Sequence, residues 1–273
     1  YLTKFKVEHR IVKKYFLTGL LTLAFIITFC QAVVKPQTEV VQFEHYSLEE
    51  GLSQNTVYCV LQDADGFLWL GTADGLNRYD GYQFRVFRND PNDSASISAN
   101  RIFALCEDKS KTLWVGTYGG GLNRYDRATE SFIRYKNNPD DPGSISDDEV
   151  LSIYEDNFNV LWVGTDGGGL NKFIREKGKF KCYRNNPEDP TSLSNDEVRS
   201  IYEDHSGSLW IGTNSGGLNK FDRGKKLFIH YRNNKNDPQS ISDDGVLSIY
   251  EDSNDNLWIG TGNGGLNRFD RTD

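Results

Sequence analysis

The apolar residues of this chain fall in short runs that recur at a fixed distance. Five segments read VYCVLQD, IFALCED, VLSIYED, VRSIYED and VLSIYED. Each is the length of a short strand and is rich in aliphatic and aromatic residues. After a polar turn, each is followed by Leu, Trp, an aliphatic residue, Gly and Thr, and then by GLN(K/R) and an aromatic. All five Trp of the chain stand in this context: Trp69, Trp114, Trp162, Trp210 and Trp258. The first four units close with an aromatic pair three residues apart: Phe84/Phe87, Phe132/Tyr135, Phe180/Tyr183 and Phe228/Tyr231. One unit therefore predicts four short antiparallel strands. Repeats of roughly 40–50 residues built this way are propeller blades. Polar connectors such as NNPEDPTSLSNDE, made of turn formers, lead to the next unit.

The expected fold is all-β: a β-propeller of five four-stranded blade repeats over residues 41–273. The fifth unit breaks off after its third strand, whereas an unattached aromatic pair, Phe43 and Tyr46, precedes the first. Two readings follow. The early strand completes the fifth blade and closes a ring, or it serves the last of more blades. The glycine-rich stretch LWVGTDGGGLNKF (161–173) is read as construction. Its glycines, with Gly-Thr, are placed in the hairpin between the second and third strands. A phosphate loop needs glycines leading into a helix, and here a strand follows.

A different pattern precedes the repeats. Residues 15–34, YFLTGLLTLAFIITFCQAVV, carry no charge and follow a basic segment, 1–14. This predicts a signal peptide or a transmembrane helix with its N-terminus in the cytoplasm. Residues 35–40 form a linker, and the repeats are placed in the periplasm or otherwise outside the cytoplasm, anchored in the inner membrane if the segment is retained. The chain starts at Tyr1 and has no Met, so it is read as part of a longer reading frame.

Charge narrows the function. The formal net charge is −8, and six basic residues but only one acid, Glu8, lie in the first 36 positions. The repeat region is thus more acidic than the whole, which speaks against nucleic acid. The four Cys form no CxxC pair, and those in the repeats, Cys59, Cys106 and Cys182, are read as free thiols in strands. No catalytic, metal-binding or cofactor motif stands out. The acidic pairs that end the first strands, such as Glu155-Asp156, are read as turn residues.

Specificity is sought where the repeats differ. The positions before and in the first strand, and the first hairpin position, vary from unit to unit. They yield the candidates Asn100, Arg101, Tyr118, Glu149, Asp166, Glu197, Arg199 and Asn214. Hydrogen-bonding and stacking groups of this kind suit a small molecule or an oligosaccharide.

The units EGLSQNTVYCVLQDADGFLWLGTADGLNRYDGYQF and SLSNDEVRSIYEDHSGSLWIGTNSGGLNKFD resemble the two-component regulator propeller repeats, over residues 41–273. The resemblance implies the extracytoplasmic sensor of a larger signalling protein, with seven blades per ring. A membrane span and a histidine kinase or diguanylate cyclase output would follow. It implies oligosaccharide ligands for some members and is compatible with a homodimer. The chain itself is then not an enzyme. The alternative is a stand-alone secreted propeller, acting as a carbohydrate-active enzyme or a protein-interaction scaffold.

Overall fold

The computed structural model describes residues 42–271. The segments 1–14, 15–34 and 35–40 lie outside the described residues, and so does the expected membrane or signal helix. The chain divides into two units at His45/Tyr46. Residues 42–45 form no strand, and Phe43 is exposed.

From Tyr46 onward the architecture is antiparallel sheet. Blade 1 contains β1 (Val57–Gln62), β2 (Leu68–Thr72), β3 (Gly75–Tyr79) and β4 (Phe84–Phe87). Blade 2 contains β5 (Ile102–Glu107), β6 (Leu113–Thr117), β7 (Gly121–Asp126) and β8 (Ser131–Tyr135). Blade 3 contains β9 (Val150–Glu155), β10 (Leu161–Thr165), β11 (Leu170–Ile174) and β12 (Lys179–Tyr183). Blade 4 contains β13 (Val198–Glu203), β14 (Leu209–Thr213), β15 (Leu218–Asp222) and β16 (Leu227–Tyr231). Blade 5 contains β17 (Val246–Glu251), β18 (Leu257–Thr261) and β19 (Leu266–Phe269). Strands pair in chain order within each sheet. The first strands of successive blades touch one another, so they form the inner edge of the fan.

The Trp column is the core of each interface. Trp69, Trp114, Trp162 and Trp210 are buried. Each meets the third-strand aromatic of the next blade edge-on: Tyr125 at 5.1 Å, Phe173 at 5.2 Å, Phe221 at 5.5 Å and Phe269 at 5.1 Å. Such pairs add about 0.5–1.5 kcal/mol to the area they bury.

The glycine of Gly-Thr does not lie in the hairpin, as the sequence suggested. It is the fourth residue of the second strand. A Cβ on Gly164 would sit 2.5 Å from Val198 of the next blade, and one on Gly116 would sit 2.6 Å from Val150. Its role is close approach of neighbouring sheets. The hairpin glycines come later, and Gly169 and Gly217 adopt positive φ of 82° and 80°. The Thr closes that hairpin by donating to the carbonyl of Gly169 in blade 3 and of Gly217 in blade 4.

The Asn of Gly-Leu-Asn ties the connector down. Asn171 is fully buried, accepts the Ser146 N–H at 3.0 Å and donates to Ser146 Oγ at 2.7 Å. The same pattern joins Asn77 to Ser53, Asn123 to Ser98 and Asn219 to Ser194.

Of the two readings, completion of blade 5 by the early strand finds no pairing among the described residues. Among the described residues its sheet has three strands. Tyr46 instead packs on blade 1, 5.1 Å from Tyr79 and 5.9 Å from Phe84. Tyr135 of β8 bears the same relation to Phe173 and Phe180 of blade 3, at 5.3 and 5.9 Å. Tyr46 thus stands where an outer-strand Tyr of a preceding blade would stand. Leu68 is 37% exposed, whereas its equivalents Leu113, Leu161, Leu209 and Leu257 are fully buried by the blade before them. Leu266 is 67% exposed on the opposite face.

Candidate functional site

The two ends of the first strands carry different chemistry. At the far end, the Glu-Asp pairs form a clamp repeated at every interface. Asp156 Oδ1 accepts the N–H groups of Phe158 and Val160 and so shapes the turn. Its Oδ2 accepts the Trp162 indole N–H at 2.7 Å and Arg223 of the next blade at 2.7 Å. Arg223 also bonds Glu203 at 2.8 Å, and Glu203 accepts the Asn157 N–H at 2.6 Å. Arg127, Arg175 and Arg271 repeat the arrangement with Asp63/Glu107, Asp108/Glu155 and Asp204/Glu251. Burial alone would raise the carboxyl of Asp156, but the indole, backbone and Arg223 hydrogen bonds outweigh it and hold the pKa low. Asp63, Asp108 and Asp204 are lowered in the same balance. These pairs are therefore inter-blade cement, more than the turn formers expected. The sign of it in the sequence was the Arg column at 127, 175, 223 and 271, spaced like the Trp.

One variation occurs at this rim. His205 Nδ1 lies 3.1 Å from Glu251 and 3.1 Å from Asp255. The three donors lie close enough to share an ion. Glu251 is already held by Arg271 and by the His205 N–H, which leaves it little capacity for one.

The near end, at the connector and the hairpin tip, departs from the repeat. Each first strand has a bulge after its first residue, seen as a register shift between Ile102 and Ala104, and between Val198 and Ser200. A bulge leaves its residue unpaired and re-aims its side chain. The residues so placed are Tyr58, Phe103, Leu151, Arg199 and Leu247. Tyr58 and Phe103 stack across the first interface, with centroids 4.4 Å apart and planes inclined by 12°. The Arg101 guanidinium lies over Tyr118 at 4.9 Å, Phe103 at 5.3 Å and Tyr58 at 6.0 Å.

Carboxylates continue the strip. Isolated bridges join Tyr118 to Glu149 and Asp166 to Glu197, so each hairpin tip meets the next connector. The Tyr118 hydroxyl lies 3.5 Å from Asp166. The Glu149 carboxylate, more than the charge of Asp166, raises its pKa. Glu197 pairs with Arg199. Burial pushes the Glu197 pKa up, and the charge of Asp166 adds to the rise against the pull of Arg199.

Six of the eight sequence candidates, Arg101, Tyr118, Glu149, Asp166, Glu197 and Arg199, thus form one strip across blades 2–4. Asn100 is a pin in the connector: it accepts the Asn89 N–H at 2.7 Å and donates to Asp74. Asn214 is exposed at the next hairpin tip and joins the strip only through its backbone N–H to the Glu197 carbonyl. Tyr58 and Phe103 were missed. Alternation cannot reveal a bulge residue, although aromatics in a column holding Leu or Arg elsewhere were visible.

A family model described as two component regulator propeller matches residues 51–74, 96–119, 144–167, 192–215 and 240–263, one match per blade. The chain belongs to the two-component regulator propeller family. Among solved structures, two extracellular domains assigned to hybrid two-component systems of B. thetaiotaomicron are similar to this propeller. The first is 32% identical with a TM-score of 0.73, over 84% of this chain and 30% of its own. The second is 25% identical with a TM-score of 0.67, over 85% of this chain and 32% of its own. A curated relative, histidine kinase P4 of Formosa agariphila, is 42% identical over 73 residues, which are 27% of this chain and 5% of the kinase. The chain thus spans less than a third of the solved relatives and a small fraction of the kinase. The free thiols expected in strands lie in β1, β5 and β12, and burial pushes Cys59 and Cys106 up to about 12.

Proposed function

We propose that this propeller is the extracytoplasmic ligand-sensing module of a two-component-type signalling protein, and that its ligand is an oligosaccharide. The observation that carries the reading is the strip at the near ends of blades 1–4. It is the part of the fan where polar and aromatic side chains break the repeat, and ligands of propellers meet such loops. The assignment of similar propellers to hybrid two-component systems supports the signalling role.

The domain plan belongs to the same proposal: a cytoplasmic segment at 1–14, a membrane or signal helix at 15–34, a linker at 35–40 and the propeller at 41–273. Partners would be the inner membrane, signalling domains further along the protein and, in the signalling state, a second copy. Binding would bias the contacts that the propeller passes on. Hydrolysis fits the strip poorly: Glu197 is taken up by Arg199, whereas glycoside hydrolysis needs two carboxyls facing the sugar.

The test is a melting-temperature screen of the chain against oligosaccharides, repeated with Tyr118→Ala. A ligand that raises the melting temperature of the parent and not of the variant supports the reading. A ligand that stabilises both equally places binding elsewhere and removes the strip from the argument.

A further inference from the structure

We infer that Arg101 is an oxyanion anchor, and that the ligand of the strip carries a carboxylate or a sulfate; this rests on the ligand-sensing reading above. Positions 56, 101, 149, 197 and 245 form one column of the repeat, occupied by Thr, Arg, Glu, Glu and Gly. Blade 2 alone places a cation there. Of the two Glu of the column, Glu197 is engaged by Arg199. Arg101 is exposed, and no hydrogen bond or ion pair of its side chain occurs among the described residues. This is unlike Arg199 in the same strip, and unlike the clamp arginines.

Its surroundings explain how it stays free and yet is placed. Three rings, Tyr58, Phe103 and Tyr118, hold the guanidinium from the side by cation–π contact. Among the described residues no carboxylate of the strip forms an ion pair with it, and Glu197 is taken up by Arg199. A planar fork of N–H donors, held in place and unspent, matches the two oxygens of a carboxylate or the edge of a sulfate. Little side-chain freedom remains to be lost when such a group arrives. Ring faces beside the fork offer stacking to the sugar that bears it.

The experiment is a glycan array of neutral, uronic-acid and sulfated oligosaccharides, probed with the full chain in detergent micelles as wild type, Arg101→Gln and Arg101→Lys. Bound glycans are then followed by calorimetry, and the unliganded melting temperature of each protein is measured. The expected result is binding of acidic glycans only. Arg101→Gln should lose roughly 10- to 100-fold in affinity, the range for hydrogen bonds between charged groups. Arg101→Lys should recover part of it, with unliganded melting temperatures unchanged. Retention on uronates alone assigns the carboxylate, and on sulfated glycans alone the sulfate. Neutral glycans bound equally by wild type and Arg101→Gln would overturn the anchor while leaving sensing intact. No glycan bound by wild type overturns both the anchor and the oligosaccharide reading. A lowered melting temperature in unliganded Arg101→Gln, with acidic-glycan affinity retained, would make Arg101 a structural brace only.

Discussion

Strand β5 has Arg101 just before it and Asp108 just after it, and the two ends behave differently. Asp108 belongs to a constellation found at all four interfaces, with the same partners and distances of 2.6–3.1 Å between the clamp arginines and their carboxylates. Arg101 belongs to a strip in which no two blades present the same set of side chains. In a repeat protein this contrast separates two demands. Groups that hold neighbours together must recur wherever neighbours meet. Groups that read one ligand must not.

The contrast can be broken most strongly at the Trp column. Trp162→Ala should destabilise by about 3–5 kcal/mol, as for other buried aromatics cut to Ala, measured by urea unfolding. A loss near zero would mean that the interface does not rely on the Trp column. Next comes Asp156→Ala. It removes the acceptor of the Trp162 indole and one of the two carboxylates that Arg223 holds, and should cost about 3 kcal/mol.

The same clamp predicts a pH response. The folded pKa values of Asp63, Asp108, Asp156 and Asp204 lie below their usual values. A depressed carboxyl contributes stability that is complete above its unfolded pKa, roughly pH 4, and is lost as pH falls through the folded value. The melting temperature should therefore hold from pH 7 to about 5 and drop below roughly pH 4. Asp156→Asn should flatten that drop. A melting temperature independent of pH over this range would contradict the clamp.

Asn171→Ala should cost about 1–3 kcal/mol by leaving the connector at Ser146 untied. The smallest effect is expected in the strip. Tyr118→Phe should change stability by no more than about 0.5 kcal/mol, as at other positions outside the core, while altering ligand affinity. A large loss of stability there would erase the distinction between the two ends.

Most of the blade was legible because Trp, Gly-Thr, Gly-Leu-Asn and the aromatic pair recur as columns. Two things were misread for physical reasons. Gly164 was placed in a turn because glycine usually signals one. Its reason, the approach of Val198, lies in a residue 34 positions away in the chain. The Glu-Asp pairs were taken for turn formers because the Arg that each Asp holds comes from another blade, at separations of 64 and 67 residues. In the strip, the variable polar positions could be listed from the repeat. That six of them, with Tyr58 and Phe103, converge depends on bulges that hydrophobic patterning does not record.

The clamp also bears on how such a chain changes its length over generations. Units 2–5 each contribute an Arg that serves the unit before, and units 1–4 each an Asp that serves the unit after. Duplicating or deleting one whole unit therefore leaves no clamp half-made at the junction, because the new neighbours carry the same two halves. Change by single residues is penalised at that rim, whereas change by whole units passes. The opposite rim is under no such bookkeeping, so a freshly copied blade can diverge there at once.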